Sequence, residues 1–431
     1  MEKRLYPAIF VGVVLLLAVP AYSQDWARTW ISDLQRVDLR GLGFPDVNEI
    51  PENNSAITSL LTASDGNIYG ATTGETAYLF IFQPSTNKVR HLGRIPGEQS
   101  VHHSLAQGSD GSIYLGTGLN MFRPVGISEG GYWEDVAENL WKDIQNHFSS
   151  YPGGHLYRYQ PEQSNLNVKL PDMEAEVEDL GIPLAHNSIY ALCANPAGSE
   201  LYGITYPDGH FFVYKAGEGS FHDLGPIDPS VVFHGPERWW RSLPRSLICD
   251  DAGRVFTSSQ GGELVYYSPD TEQIVSTGLK LPGNYYPAQF YTDYTVVEYF
   301  AKHPDGSLYG GTSDGYLFSL DPEEMTLTNL GKPRAERRLR CLAVGHDGCI
   351  YLVAGERPQT SPVPCKFYRF DPETGGFQDF GLLIADRSPF YYRRGYQFDS
   401  MTTGLDGTIY LGESERGSSL FLFLPPSPRL E

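Results

Sequence analysis

The sequence predicts an all-β protein, a seven-bladed β-propeller built from four-stranded antiparallel blades. The repeated pattern is clearest in residues 101–117, VHHSLAQGSDGSIYLGT, where two short apolar segments flank an Asp-Gly pair. Asp-Gly favours the positive φ angles of a tight hairpin turn. Six further copies begin at residues 56, 189, 244, 297, 339 and 398. Seven copies of one antiparallel unit, none of which can bury both of its faces alone, are typical of a propeller.

A third and a fourth strand follow most of these hairpins. Third strands such as YLFIFQP and HLYRYQP precede fourth strands that end in Leu-Gly, as in VRHLG and VEDLG. This constant order favours a propeller over a β-sandwich with similar hairpins. The last copy has three strands before the chain ends, and residues 35–43 resemble the missing fourth. We expect this N-terminal strand to complete the last blade and so remove an open sheet edge.

The N-terminus has the pattern of a secretory signal peptide. Lys3 and Arg4 precede a short apolar run over residues 8–20, and small residues follow up to Ser23. The run is too short for a membrane span, so we expect cleavage after residues 1–23. The mature protein, residues 24–431, is then a single propeller in the periplasm or outside the cell.

Long connections are expected at one end of the propeller only. Residues 119–153 form an insertion in the second blade, and the apolar spacing from Trp133 to Ile144 predicts a helix in it. Links between blades are long at residues 226–243, 280–296 and 382–397. We call this end, where the first strand of each blade begins on the axis, the upper face. Long loops on a rigid scaffold commonly build binding sites.

Charge and cysteine content exclude several classes. The net charge of −20 argues against binding to nucleic acid or to an anionic membrane. Five cysteines are too few and odd in number for a disulfide framework. No cofactor is required, although one or two cysteines with His234 leave a structural zinc open. We expect a monomer.

Counting back from each Asp-Gly turn selects one residue per blade near the axis. None of the seven is aliphatic, which suits the floor of a pocket better than packing. The axial ring comprises Thr58, His103, Tyr190, Arg245, Glu298, Arg340 and Asp399. Arginines and aromatic residues, among them Trp240, Arg241 and Tyr291, are concentrated in the upper loops. Guanidinium groups beside aromatic rings suit an acidic sugar chain.

The chain resembles the seven-bladed propeller polysaccharide lyases, such as ulvan lyases and rhamnose-glucuronate lyases, and a related propeller glycosidase family. The resemblance rests on two upper-face histidines of the second blade, His103 and His155, a tyrosine in the third and the arginines beyond. It implies that histidine and tyrosine transfer protons and that histidine or arginine neutralises the uronate carboxylate. The insertion at 119–153 separates the two histidines and departs from the family pattern.

The resemblance implies β-elimination on an acidic polysaccharide or oligosaccharide. His155 or Tyr206 would serve as base and acid, with Tyr190 as the alternative tyrosine, and His103 and Arg245 would neutralise the carboxylate. The expected substrate-binding residues are Tyr190, Trp240, Arg241, Tyr291, Glu298, Arg340 and Asp399.

Two other functions fit the same pattern. A glycoside hydrolase would use two carboxylates, for which Glu298 and Asp399 are candidates. A propeller that binds carbohydrate or protein without turnover would use the same face.

Overall fold

A computed structural model of the chain is an all-β propeller of seven four-stranded antiparallel sheets. It describes residues 34–38, 50–120, 146–161, 172–227, 243–259, 261–283, 295–335, 338–355, 365–387, 391–414 and 419–425. Within these residues no helix is both long and apolar enough to cross a lipid bilayer.

The blades follow one another along the chain. Blade 1 consists of β2 (Ala56–Thr62), β3 (Ile68–Thr73), β4 (Tyr78–Gln83) and β5 (Lys88–Arg94). Blade 2 consists of β6 (Leu105–Gln107), β7 (Ile113–Gly116), β8 (Leu156–Tyr159) and β9 (Val177–Asp179). Blade 3 consists of β10 (Ser188–Ala194), β11 (Glu200–Tyr206), β12 (His210–Lys215) and β13 (Ser220–Pro226).

The remaining blades repeat this order. Blade 4 consists of β14 (Ile248–Cys249), β15 (Val255–Ser258), β16 (Glu263–Ser268) and β17 (Gln273–Lys280). Blade 5 consists of β18 (Val297–Lys302), β19 (Leu308–Thr312), β20 (Leu317–Asp321) and β21 (Thr326–Gly331). Blade 6 consists of β22 (Leu339–Val344), β23 (Ile350–Ala354), β24 (Lys366–Asp371) and β25 (Gly376–Gly381).

Blade 7 joins the two ends of the chain, as the sequence predicts. It consists of β28 (Phe398–Thr403), β29 (Ile409–Glu413), β30 (Ser419–Phe423) and β1 (Leu34–Asp38). β1 pairs antiparallel with β30, with Leu34 opposite Phe423. A hairpin of β26 (Ile384–Arg387) and β27 (Tyr391–Arg394) occupies the link before this blade. A short 3-10 helix, Glu52–Asn54, precedes blade 1.

The insertion in blade 2 is described only at its C-terminal end. A single helical turn covers residues 146–149. The helix predicted between Trp133 and Ile144 lies outside the described residues.

The turns between first and second strands differ from the prediction in one respect. Each has a glycine at positive φ, for example 81° at Gly66 and 94° at Gly306, but the residue before it, an aspartate in five of the seven blades, does not. In blade 1 the Gly66 N–H donates to the Ala63 carbonyl, and the Ala63 N–H donates to the Asn67 carbonyl. This is a three-residue loop in which a tight turn precedes a left-handed glycine. The positive φ that the sequence predicts for the aspartate is therefore wrong; in blade 1 the Asp65 carboxylate accepts the Asn67 N–H.

The hydrophobic core is divided into interfaces between neighbouring blades. Seven buried apolar clusters each combine residues from two consecutive blades, and one of them joins blade 7 to blade 1 through Ile57 and Leu420. Each blade therefore buries its two faces against its two neighbours, which is why the fold needs a closed ring.

Candidate functional site

A β-bulge in the first strand projects one residue out of the strand pairing in five blades. The register shifts occur at Thr58, Tyr190, Glu298, Arg340 and Asp399. A bulged residue has no partner in the ladder, so its side chain can be aimed away from the sheet. These five positions coincide with the predicted axial ring, and the contacts below show that the ring residues meet at the hub.

His103 and Arg245 hold the same position in the other two blades through backbone contacts. The His103 N–H donates to the Thr58 carbonyl over 3.3 Å, and its carbonyl accepts the Leu192 N–H over 3.1 Å. The Arg245 N–H donates to the Val297 carbonyl over 3.0 Å. His103 has a φ of 37°, a left-handed value that is uncommon for a non-glycine residue. These bonds tie the ring positions of successive blades together.

Glu298 lies between two arginines at the hub. Its carboxylate is 3.5 Å from Arg245 Nε and accepts from Arg338 Nε and Nη2 over 3.0 and 2.9 Å. The Glu298 side chain is 4% exposed, whereas those of Arg245 and Arg338 are 22% and 25% exposed. The acid is therefore enclosed and the two guanidinium groups remain partly open.

A second ion pair, which is more fully buried than the first, joins blades 6 and 7. Arg340 Nη2 donates to Asp399, whose other oxygen accepts from Gln397 Nε2 over 2.6 Å and from the Ser414 hydroxyl. Arg340 is 2% exposed and Asp399 3%. Arg340 Nε and Nη1 are buried and have no hydrogen-bond partner among the residues that the structure describes.

Electrostatics keep both hub acids ionised. Burial alone would raise the pKa of Glu298, but Arg245, Arg338 and Arg340 together lower it to about 2. Burial likewise opposes ionisation of Asp399, and Arg340 outweighs it, so the pKa of Asp399 lies far below its usual range.

His103 lies beside this network in a neutral form. Burial, with contributions from Arg245 and Arg340, lowers the pKa of His103 to about 4, although Asp399 and Glu298 oppose the shift. Its Nδ1 is buried, and no described residue is hydrogen-bonded to it. The imidazole is therefore uncharged at neutral pH, and one of its ring nitrogens can accept a proton.

Tyr299 crosses the hub and fixes the position of the His103 ring. It belongs to blade 5, yet its hydroxyl donates to the Met401 carbonyl of blade 7 over 2.9 Å and accepts the Met401 N–H over 3.3 Å. Its ring meets that of His103 edge to face, with 5.5 Å between centroids. Three blades thus converge on one tyrosine.

An aromatic cluster extends from the hub towards the insertion. Arg245 lies over the Tyr190 ring at 5.9 Å, and Tyr190 packs against Tyr206 at 5.4 Å. Tyr206 in turn contacts Phe148, 5.5 Å between centroids. Both tyrosines are 5% exposed. Tyr190 therefore contacts the arginine network directly, and Tyr206 is connected to the network through Tyr190.

His155 is held in the outer half of blade 2. It immediately precedes the third strand, and its Nδ1 is 2.9 Å from Asp179 at the end of the fourth. His210 forms the same pair with Asp223 in blade 3, over 3.0 Å. In both blades the aspartate also accepts a glycine N–H two residues later. The arrangement repeats between blades, and no contact joins His155 to the hub network among the described residues.

The structure brings together six of the predicted site residues, namely His103, Tyr190, Arg245, Glu298, Arg340 and Asp399. Trp240, Arg241, Tyr291 and His234 lie outside the described residues. Across the described ranges no group of three His, Cys, Asp or Glu side chains could hold a metal ion, and all five cysteines are free thiols.

Two further hub residues lie beside the ring positions: Arg338, which the sequence places among the upper-face arginines, and Tyr299, which no sequence pattern singles out. Arg338 lies two residues before the ring position of blade 6, with a φ of 68°, and Tyr299 directly follows that of blade 5. A count of one residue per blade omits both.

Comparison with known proteins shows the fold and no family. No family profile matches the chain, and no curated protein matches it. Among solved structures, a streptogramin B lyase has a TM-score of 0.59 at 10% identity, covering 92% of this chain and 100% of the other. Virginiamycin B lyase from Staphylococcus aureus has a TM-score of 0.57 at 10% identity, covering 91% and 99%.

Propellers of other kinds are nearly as similar. The WD40 β-propeller domain of Doa1 has a TM-score of 0.50 at 11% identity, covering 92% of this chain and 99% of that domain. At such identities the likeness concerns architecture alone. By its sheets and by these comparisons the chain is a seven-bladed β-propeller.

Proposed function

We propose that the protein is a lyase that cleaves an acidic polysaccharide at a uronic acid by β-elimination at the hub. The observation that carries the proposal is the partly open Arg245 and Arg338 pair, which shares the single carboxylate of Glu298 beside a neutral His103. Guanidinium groups form strong, often bidentate, hydrogen bonds with carboxylates. Elimination needs such a cation to hold the carboxylate as charge develops on it.

The hub residues supply each step of the elimination. Arg245 and Arg338 bind the uronate carboxylate, and His103 takes the proton from the carbon next to it. The electron pair forms a carbon–carbon double bond as the bond to the glycosidic oxygen breaks. Tyr190 gives its proton to that oxygen, since burial keeps its pKa raised and the phenol protonated. The two residues then exchange the proton through solvent.

This assignment gives His103 the role of base in place of His155. His103 is neutral and adjoins the arginines, whereas His155 is paired with Asp179 away from them. Two lyases share this architecture, and a His-to-Ala variant of the virginiamycin B lyase from S. aureus is described as catalytically inactive. Those enzymes support only the view that the fold can carry a lyase site.

A glycoside hydrolase is less compatible with the hub. Such an enzyme needs a protonated carboxylic acid to donate to the leaving oxygen. The pKa values of Glu298 and Asp399 are both lowered by arginine, so neither acid is protonated at neutral pH.

A panel of uronate-containing polysaccharides, followed by the absorbance of unsaturated chain ends, tests the proposal. We expect His103→Ala and Arg245→Ala to form no unsaturated product. His155→Ala and His210→Ala form a matched pair, because both histidines make the same contact with aspartate. Loss of activity in His155→Ala alone would return the catalytic role to His155 and refute our assignment.

A binding propeller without turnover is the second candidate. The observation in its favour is that arginine keeps both hub carboxyl groups ionised, so neither can act as an acid catalyst while the partly exposed arginines can still bind an anion. Calorimetric binding of uronate oligosaccharides with no unsaturated or hydrolysed product on any polysaccharide would establish it and overturn the lyase.

Export is a separate part of the proposal. The predicted signal peptide lies outside the described residues. N-terminal sequencing of protein from the periplasm or medium should find a chain that begins near Gln24.

A further inference from the structure

Tyr396 is an exposed aromatic residue at the upper end of blade 7. It lies between the β26–β27 hairpin and the start of β28, and it is 44% exposed. The other exposed large hydrophobic residues of the described ranges lie elsewhere: Met173 beside β5, Leu405 in a turn between first and second strands, and Leu424 after β30. Single exposed apolar residues are common on protein surfaces, so the position of Tyr396 is what distinguishes it.

The corresponding residue is small and buried in every other blade where the structure describes it. Tyr396 stands three residues before Asp399 of the axial ring, and the same count in other blades gives residues that are at most 2% exposed, namely Ser55, Ser100, Asn187 and Thr295. In blades 2, 3 and 5 its polar group bonds the link between the second and third strands, for example Thr295 Oγ1 to Asp314 over 2.6 Å. The tyrosine of blade 7 therefore departs from a position that the other blades use for internal contacts.

The backbone around Tyr396 is held in place although the residue is exposed. Its N–H donates to Glu413 Oε1 over 3.4 Å. The next carbonyl, that of Gln397, accepts the Ser414 N–H over 2.9 Å. An aromatic side chain on such a support loses little conformational freedom when a ligand covers it, because only its two side-chain torsions remain to be ordered.

Tyr396 also stands next to the charged hub. The adjacent Gln397 donates from Nε2 to Asp399 over 2.6 Å, and Asp399 binds Arg340 of blade 6. Gln397 corresponds to Arg338 of blade 6, since each lies two residues before the axial ring and each carbonyl accepts the N–H that directly follows the second strand. Tyr396 is therefore in the blade beside Arg338, and a sugar chain whose uronate lies on Arg338 passes over blade 7 when it extends in that direction.

We propose that Tyr396 is a stacking platform for a sugar unit that adjoins the bound uronate, so that the site takes an oligosaccharide rather than a single sugar. The inference rests on the proposed function, because it requires a uronate at Arg245 and Arg338. The carbon-bound hydrogens on one face of a pyranose are apolar and pack against an aromatic ring, while the tyrosine hydroxyl stays in water. The platform selects which sugar chains bind and takes no part in proton transfer.

Calorimetric titration of the full chain with two ligands tests the platform. The ligands are glucuronate and a tetrasaccharide of alternating rhamnose and glucuronate. Tyr396→Ala should weaken binding of the tetrasaccharide about tenfold, because the aromatic contact with the adjoining sugar is lost. It should leave binding of glucuronate unchanged, because a single uronate occupies only the arginines. Arg245→Ala should weaken binding of both ligands.

Two further variants separate stacking from a general effect on the protein. Tyr396→Phe keeps the aromatic ring and should restore the wild-type affinity for the tetrasaccharide, since stacking does not need the hydroxyl. Leu405→Ala removes a still more exposed hydrophobic side chain from the opposite end of the propeller. It is the matched control and should leave both affinities unchanged.

The outcomes distinguish the platform from the proposed elimination. Equal affinity of wild type and Tyr396→Ala for the tetrasaccharide would overturn the platform, and unsaturated product from both proteins would leave the lyase intact. An equal loss of affinity for glucuronate and tetrasaccharide would also overturn it, because the residue would then act on the anion site. The selective loss in a protein that forms no unsaturated product supports the platform while the elimination fails. A wild type that binds neither ligand overturns both.

Discussion

Replacing Glu298 by glutamine should destabilise the fold by about 3 kcal/mol at neutral pH. The Glu298 pKa falls from 4.5 to about 2 on folding, and each pKa unit corresponds to about 1.4 kcal/mol of differential stabilisation. Glutamine keeps the shape of the side chain but leaves Arg245 and Arg338 facing each other without a counter-charge. Removing one partner of a buried ion pair typically costs about 3–5 kcal/mol. The predicted loss of stability lies at the lower end of this range.

The dependence on pH distinguishes this electrostatic loss from a packing defect. A depressed carboxyl pKa contributes all of its stability above about pH 4.5, and that contribution is lost as the pH falls towards 2. In urea denaturation, the difference in the free energy of unfolding between wild type and Glu298→Gln should therefore decrease over this pH interval. Glu178→Gln removes the exposed partner of Arg158 and should cost less than about 1 kcal/mol. If Glu298→Gln lost less than about 1 kcal/mol in its free energy of unfolding, or if its loss did not change with pH, the electrostatic explanation would be refuted.

Three further changes test the scaffold. Gly310→Ala places a methyl group 2.2 Å from Phe318 Cζ and should cost about 1–3 kcal/mol in urea denaturation. Gly217→Ala, which meets nothing within 4 Å, is its control, and equal losses would contradict the packing argument. Deleting residues 34–38 should lower Tm and promote association in light scattering, because β30 becomes an open edge; an unchanged Tm would contradict ring closure by β1. Tyr299→Phe should lose about 1 kcal/mol with the hydroxyl that bonds Met401, and wild-type stability by calorimetry would show the bridge to be dispensable.

The fold could be predicted because each blade repeats the same local information. The Asp-Gly turn marks the same position in each hairpin. The axial residue of each blade is therefore found by counting residues back from that turn. Arg340 and Asp399 were therefore placed on the axis from sequence, and β1 was assigned to the last blade by its likeness to a fourth strand.

The site was harder to predict because it depends on contacts between distant blades. His103 and His155 looked equivalent from their shared blade, but the first and third strands lie at different distances from the axis. Arg338 reaches Glu298 only after blades 5 and 6 pack together, and Tyr299 contacts Met401 only across the closed ring. Local sequence patterns carry no information about contacts that form only when distant blades come together.

The bulges of the first strands have a consequence for how this scaffold can change over time. A bulged residue takes no part in the hydrogen-bonded ladder. The pairing of strands within its own blade therefore places little constraint on which amino acid stands there. The chain already has threonine, tyrosine, glutamate, arginine and aspartate at five such points on nearly identical hairpins. Substitutions that replace both partners of an ion pair there would change the hub while leaving the hydrogen-bonded ladders of the blades unaltered.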